Sequence, residues 1–424
     1  MSKIKLCILV LLLRTIAIGQ VDSIVIPESQ VLDLQFLVAE ALMNNPDIQA
    51  SLYQWDEMEA KVNQESSLDD PELRFESEEM PRFDFSRPMY RRLGLMQMFR
   101  FPSKLSTQGD LADIRAEHAH HDHLEKIIEI LENLKKAYYE LWYVQQNTVL
   151  TQENIRLMNQ FAQIALTRYG VGMVPQQDVL KAQVEIAMMS NELVSLRQQE
   201  LSAKTMLMAI LNRTPKDTLG FAVIPEGIEF TASLDSLERL ALQIRPMLTH
   251  DSLAIQESQT ELSLAKQEFL PDFKIGIERV TSPIDGFGGW SVSAGITLPF
   301  APWTLGKANA RKDEASAAIL RSTSTYNATR NMVLASLRDL YYKAMASKRQ
   351  LDTYRTIIIP QAEQSLSASR TAYQTGTTNF LMLIDAYRTL VMLTKDYFMT
   401  RMQFEQSIAG LERAVGYQSL LVTR

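Results

Sequence analysis

The chain has 424 residues, 46% hydrophobic and 22% charged, enough to bury two ordinary cores. That balance excludes a disordered chain and a helical-bundle membrane protein, and beyond the N-terminus no run of ~18 apolar residues supplies a spanning helix. The formal charge of −7 is the opposite of what a nucleic-acid binder carries.

The chain opens with MSKIKLCILVLLLRTIAIGQ. Lys3 and Lys5 precede a short apolar run, and small residues follow at Ala17 and Gly19. This is the shape of a secretory signal over 1–19; a structural N-terminal helix is the alternative reading. Cys7 is the only cysteine and lies within it. The mature chain would then hold no disulfide, no thiol nucleophile and no cysteine metal site, and its charge falls to −10.

A helical segment over 33–66 comes next. Short strands follow at 72–79 and 91–101, joined by the Pro-containing MPRFDFSRPMY. Residues 103–168 contain no proline and one glycine, Gly109, and predict a helical rod of ~100 Å. The turn YGVGMVPQQDVLKA starts at Tyr169, and a return helix spans 175–212. The grammar then repeats. A helix over 234–268 leads to strands at 272–280 and 289–300. There Phe273, Ile275 and Ile277 alternate with Lys274, Gly276 and Glu278, the period-two signature of a half-buried strand. A second rod over 306–373 carries an expected kink at Pro360. The turn YQTGTTNFLMLIDA and a last helix over 379–415 close the chain.

The two turns are offset by 204 residues, Gly172 against Gly376. Ala41-Leu42 with Pro46 matches Ala241-Leu242 with Pro246 at an offset of 200, as do the segments around Pro71 and Pro271. Three matches in the same order indicate an internal two-fold repeat, 20–232 and 233–424. Each return helix and the next half's first helix together match one rod in length. A layered object follows: strands at one end, helical hairpin tips at the other.

Four strands per chain cannot close a barrel, and open edges are prohibitive in lipid. Their length and single apolar face suit tilted transmembrane strands. Three chains pooling four strands each would give twelve. A soluble hairpin packed on the helices is the alternative reading of the same alternation.

In the turns, Gly172 and Gly376 supply positive φ. Pro175 suits the first turn of the return helix, and Asp178 its positive end. The second turn lacks proline, leaving Thr377, Thr378 or Asn379 to cap. The tract EHAHHDH holds four of the five histidines. Helical geometry puts His118, His121 and Asp122 on one face and His120 and His123 on roughly the opposite one, so the weak metal candidate is His118 with His121 and Asp122. A solvated helix surface is the competing reading. The fifth, His250 beside Asp251, reads as a surface residue. No phosphate loop, G-x-S-x-G or H-E-x-x-H is present, so no enzyme and no cofactor is expected.

Taken in order, ALMNNPDI, the paired strands, the long helix, RYGVGMVPQQDVLKAQ, LPDFKIGI, ITLPF and IIIPQAEQSLSASRTAYQTGTTNFLMLIDAYRTL resemble the TolC outer-membrane efflux family over nearly the whole mature chain. LGLMQMFRFPSK leans toward its CzcC/CusC-like cation-efflux branch. The resemblance implies a mainly α fold with a small transmembrane β part. That fold is a homotrimer whose 12-stranded β-barrel in outer-membrane lipid continues as a long periplasmic α-barrel. It implies a periplasmic adaptor and an inner-membrane pump, often of the RND type, as partners, and no nucleic acid. Adaptor contact would fall at the tips, on Tyr169, Gly172, Pro175, Asp178, Tyr373, Gly376 and Thr377. Some members carry an acidic ring before the second tip; here that stretch holds Ser365, Ser367, Ser369, Arg370 and Gln374. A protein-secretion duct of the same fold and a periplasmic coiled-coil scaffold or adaptor are the alternatives.

Overall fold

The computed structural model describes residues 31–78, 90–214, 219–225, 230–282, 286–299, 302–303 and 305–416. The expected signal over 1–19, with Cys7, and most of the first inter-strand loop lie outside the described residues.

In chain order the elements are β1 (Val31–Leu32), α1 (Leu34–Asn44), α2 (Pro46–Glu65), β2 (Glu72–Glu78), β3 (Tyr90–Phe99), α3 (Pro102–Gly170), α4 (Gln176–Ile210), β4 (Phe221–Ala222), α5 (Leu234–Ile244), α6 (Pro246–Gln267), β5 (Phe273–Thr281), β6 (Gly288–Ile296), α7 (Leu305–Thr353), a π-turn (Tyr354–Ile358), α8 (Ile359–Thr375) and α9 (Phe380–Val415). The 69 residues of α3 make a rod of about 100 Å.

The first helix of each half is not continuous, as 33–66 and 234–268 had been expected to be. Asn45 and Arg245 are extended, at φ −67°, ψ 123° and φ −66°, ψ 120°. The cause is the following proline, whose Cδ excludes the α region from the residue before it. Asn45 repairs the break: its Oδ1 accepts from Asp47 N and Ile48 N at 2.9 and 3.1 Å, and its Nδ2 donates to the Ile210 carbonyl at 2.7 Å. The expected kink at Pro360 takes the form of the π-turn just upstream. Proline lacks an N–H and its ring crowds the carbonyl four residues back, and one widened turn relieves both.

The four main strands form one antiparallel sheet in the order β2-β3-β5-β6. Leu73, Leu95, Ile277 and Val292 stand opposite one another across all four strands, 72%, 49%, 47% and 74% exposed. Phe75, Leu93 and Trp290 continue this face, with Arg279 laid over the Trp290 ring at 5.5 Å. The opposite face is polar and small: Arg74, Gly94, Glu278 and Ser291 form one row, and Glu72, Met96, Gly276 and Ser293 the next. A Cβ on Gly276 would lie 2.7 Å from Ser293 Oγ, so a side chain there would force that hydroxyl to turn away. Among the described residues the outer edges of β2 and β6 pair with nothing. Lys104 reaches Asp272 at 3.0 Å and Arg100 reaches Asp69 at 2.6 Å, which clamps the sheet to the helices.

Three apolar clusters run along the helices. One joins α1, α3 and α4 around Leu37, Leu134, Leu141 and Leu207. Its Tyr138 hydroxyl accepts from Val223 N at 2.9 Å, tying in the short parallel pair β1–β4. A second joins α5, α7 and α9 around Leu237, Leu337 and Leu411. The third lies at the far end, around Met158, Phe161, Tyr373, Phe380 and Leu383.

Candidate functional site

The far end is built from two turns. At the first, Gly172 has φ +73°, and Gly172 N and Met173 N return to the carbonyls of Tyr169 and Arg168, both at 2.9 Å. Only glycine adopts that φ cheaply. Pro175 is the residue before α4, at φ −71° and ψ 154°, and not within its first turn. At the second turn Gly376 has φ +81° and Thr377 N returns to the Ala372 carbonyl at 2.9 Å. Of the three capping candidates Asn379 serves, its Oδ1 accepting from Met382 N at 3.0 Å. Thr377 Oγ1 instead donates to the Ala372 carbonyl at 3.1 Å.

The repeated tyrosines do different work. Tyr169 is 43% exposed, whereas Tyr373 is 1% exposed within the third cluster, so Tyr373 presents no docking surface. Its ring lies 5.1 Å beneath the Arg168 guanidinium, which also donates to the Tyr373 carbonyl. Its hydroxyl reaches Asp178 Oδ2 at 3.4 Å. Burial and the neighbouring carboxylate push the Tyr373 hydroxyl up to about 12, so it stays a neutral donor. Burial also raises the Asp178 carboxyl, offsetting the helix N-terminus expected to favour its charge. Further along, Arg388 pairs with Glu185 and Lys395 with Glu192, joining α9 to α4. Sequence reading missed Arg168, since a basic residue in a helix's last turn is already explained by the helix dipole. With the Tyr373–Asp178 contact, it connects one tip to the other.

The histidine tract sits on α3 between α2 and α6. The His118 ring packs at a tilt of 47° against that of His250, with centroids 4.6 Å apart. His250 Nε2 lies 3.5 Å from Asp122, and His118 Nε2 lies 3.8 Å from Glu257. His250 is therefore not the isolated surface residue it looked. Burial lowers His118 and His121, and the neighbouring histidines lower them further, so both are neutral imidazoles near pH 7. The grouping of His118, His121 and Asp122 does not form. His121 joins His120 and Glu117, one ligand atom of each lying within 4.8 Å of the others.

No described helix is long and apolar enough to cross a membrane. A family model described as outer membrane efflux protein matches residues 37–213 and again 237–417. The chain is 22% identical over 405 residues to the cobalt-zinc-cadmium resistance protein CzcC of Cupriavidus metallidurans, covering 91% of this chain and 90% of the relative. The solved structure of CusC superposes with a TM-score of 0.81 at 16% identity, covering 92% of this chain and 93% of that one. The outer membrane protein VceC of Vibrio cholerae does so with a TM-score of 0.75 at 18% identity, over 91% and 96%. The chain belongs to the outer membrane efflux protein family, and is the outer-membrane channel component of an efflux system.

Proposed function

We propose that three copies of the chain pool their sheets into a closed twelve-stranded barrel, and that the assembly is the passive exit duct of a tripartite efflux system. The carrying observation is the four-stranded sheet. It exposes an apolar face, turns a small polar face the other way and, among the described residues, leaves both outer edges open. Apolar outside and polar inside is the pattern of a transmembrane barrel, and closure removes edges that lipid cannot solvate. A soluble scaffold would leave that face in water. Trimerisation supplies the missing strands at a length of 9–10 residues for β3, β5 and β6, near the ~9–11 that a tilted strand needs to span.

In this reading the helices line a periplasmic tube. The two turns, alternating six times around its mouth, are the entrance and meet a periplasmic adaptor that links the duct to an inner-membrane pump. Tyr169, Gly172 and Pro175 are exposed there, and Gly376 and Thr377 sit beside them. The two halves are a duplicated unit, supported by the doubled match of the family model and the shared proline breaks. The likeness to CzcC favours divalent metal cations as cargo over drugs or proteins. The fractionation experiment is direct. The protein should partition to the outer membrane and run in mild detergent at about three times its 48.2 kDa chain mass. A soluble monomer would overturn the reading. Deletion of the gene should sensitise cells to cobalt, zinc or cadmium before bile salts or dyes, and equal sensitisation would remove the cation assignment.

A further inference from the structure

All five histidines of the chain meet at one level of the molecule, four from α3 and His250 from α6. Within that group one set is spaced for coordination. Glu117, His120 and His121 stand at i, i+3 and i+4. In angular terms Glu117 falls between the two histidines on one helix face, which reading His120 and His121 as opposed had hidden. One ligand atom from each lies within 4.8 Å of the others. His121 Nε2 faces Glu117 Oε1 at 3.8 Å, too far for a hydrogen bond and close to the roughly 3.3 Å between ligands on a tetrahedral ion with bonds of about 2.0–2.1 Å. The other ring nitrogen, His121 Nδ1, is buried and has no hydrogen-bond partner among the described residues. Small side-chain rotations therefore close the set without moving the helix.

The surroundings suit the same purpose. Trp55 of α2 lies 4.3 Å from the His120 ring and holds its plane. Ser51 takes His123 into a 2.8 Å hydrogen bond, so that histidine is already committed. Glu117 is exposed, which leaves the remaining coordination position open to water or to an exchanging ligand. Two imidazoles and a carboxylate are the donor set of borderline divalent ions, whereas calcium and magnesium take oxygen ligands.

We propose that Glu117, His120 and His121 form an exchangeable binding site for a borderline divalent transition-metal ion such as Zn²⁺. The site is a property of one chain and does not rest on the proposed duct. The test is calorimetric titration of the purified full chain in detergent with Zn²⁺, with Mg²⁺ as the control and Co²⁺ absorption as a second readout. One Zn²⁺ per chain is expected, with visible Co²⁺ bands of low-symmetry nitrogen and oxygen ligation. The double variant Glu117→Gln, His121→Ala should weaken binding by at least ~10-fold, since removing ligands costs no less than removing their supporting partners, and should erase the Co²⁺ bands. The variant His118→Ala, His250→Ala should keep both. Absence of saturable Zn²⁺ binding overturns the proposal. So does binding that survives the first variant, including the case where only the second abolishes it. Circular dichroism and melting report whether each variant folds. If the double variant does not, the more conservative single variant His121→Gln carries the same expectation.

Discussion

Arg168→Gln is the sharpest test of how the two tips are held. Arg168 leaves the end of α3, donates to the Tyr373 carbonyl of α8 and covers that residue's ring at 5.1 Å. A hydrogen bond from a charged donor contributes about 1.5–3 kcal/mol, and a partly exposed cation over a ring about 0.5–1 kcal/mol. Arg168 is only half-buried, so the lower end applies, about 2 kcal/mol in all. Glutamine is too short and too weak a donor to keep both contacts. If the tips constrict the channel at rest and separate to open it, the closed state loses that amount, which is about 30-fold in the closed-to-open ratio. Planar-bilayer recordings of the purified protein should show a larger time-averaged conductance. Cells carrying the variant should admit large antibiotics that intact outer membranes exclude. Arg168→Lys keeps charge but loses the planar fork, and should fall between. Unchanged conductance, with the oligomer and its melting intact, would refute a gating role for this contact.

The remaining expectations follow from single features. Val292→Arg puts charge on the exposed apolar face of β6 and should cost about 2–4 kcal/mol of insertion at mid-bilayer; normal assembly in outer-membrane fractions would contradict a lipid-facing sheet. Gly172→Ala and Gly376→Ala each carry the left-handed backbone cost of about 1–2 kcal/mol. Only at Gly376 does the new Cβ come within 3.0 Å of Arg168 Nη2, so only Gly376→Ala should reproduce the Arg168→Gln conductance, and equal behaviour would dissociate the turn from the arginine. At Glu132 burial alone would raise the carboxyl, but hydrogen bonds from Arg413 and Lys136 outweigh it and the net shift is downward. A depressed carboxylate contributes stability in full above its unfolded value of about 4.3 that is lost as pH falls through the folded value. Melting of the native chain should therefore decline on acidification below that range, and Glu132→Gln should remove part of the decline. Parallel curves for the two proteins would show that the cluster carries no linkage.

Local chemistry made much of the fold legible. Period-two alternation in Phe273, Ile275 and Ile277 found β5, and paired glycines found both tips, because each signal is written within a few residues. The helix breaks were present as Pro46 and Pro246 but were read through. The apolar periodicity resumes in phase after each proline, and only the backbone of Asn45 and Arg245 shows the chain extended there. His250 could not be joined to His118 from sequence, since 132 positions separate them and only the packing of α6 on α3 brings the rings to 4.6 Å.

The tyrosines show why a repeat misleads about sites. Tyr169 and Tyr373 occupy matching positions in matching turns, and sequence treats them as equals. Yet the two turns, side by side at one end, do not have the same neighbours. One turn must lie against the other, and here the second tucks Tyr373 beneath Arg168 while the first leaves Tyr169 in solvent. Burial separates them: Tyr373 holds α8 to α3 and α4, and Tyr169 stays available at the surface. The two turns are similar in sequence, and packing leaves one tyrosine buried under the arginine and the other in solvent. Arg168, which has no counterpart in the second turn because Ala372 stands there, is what makes the division one-way.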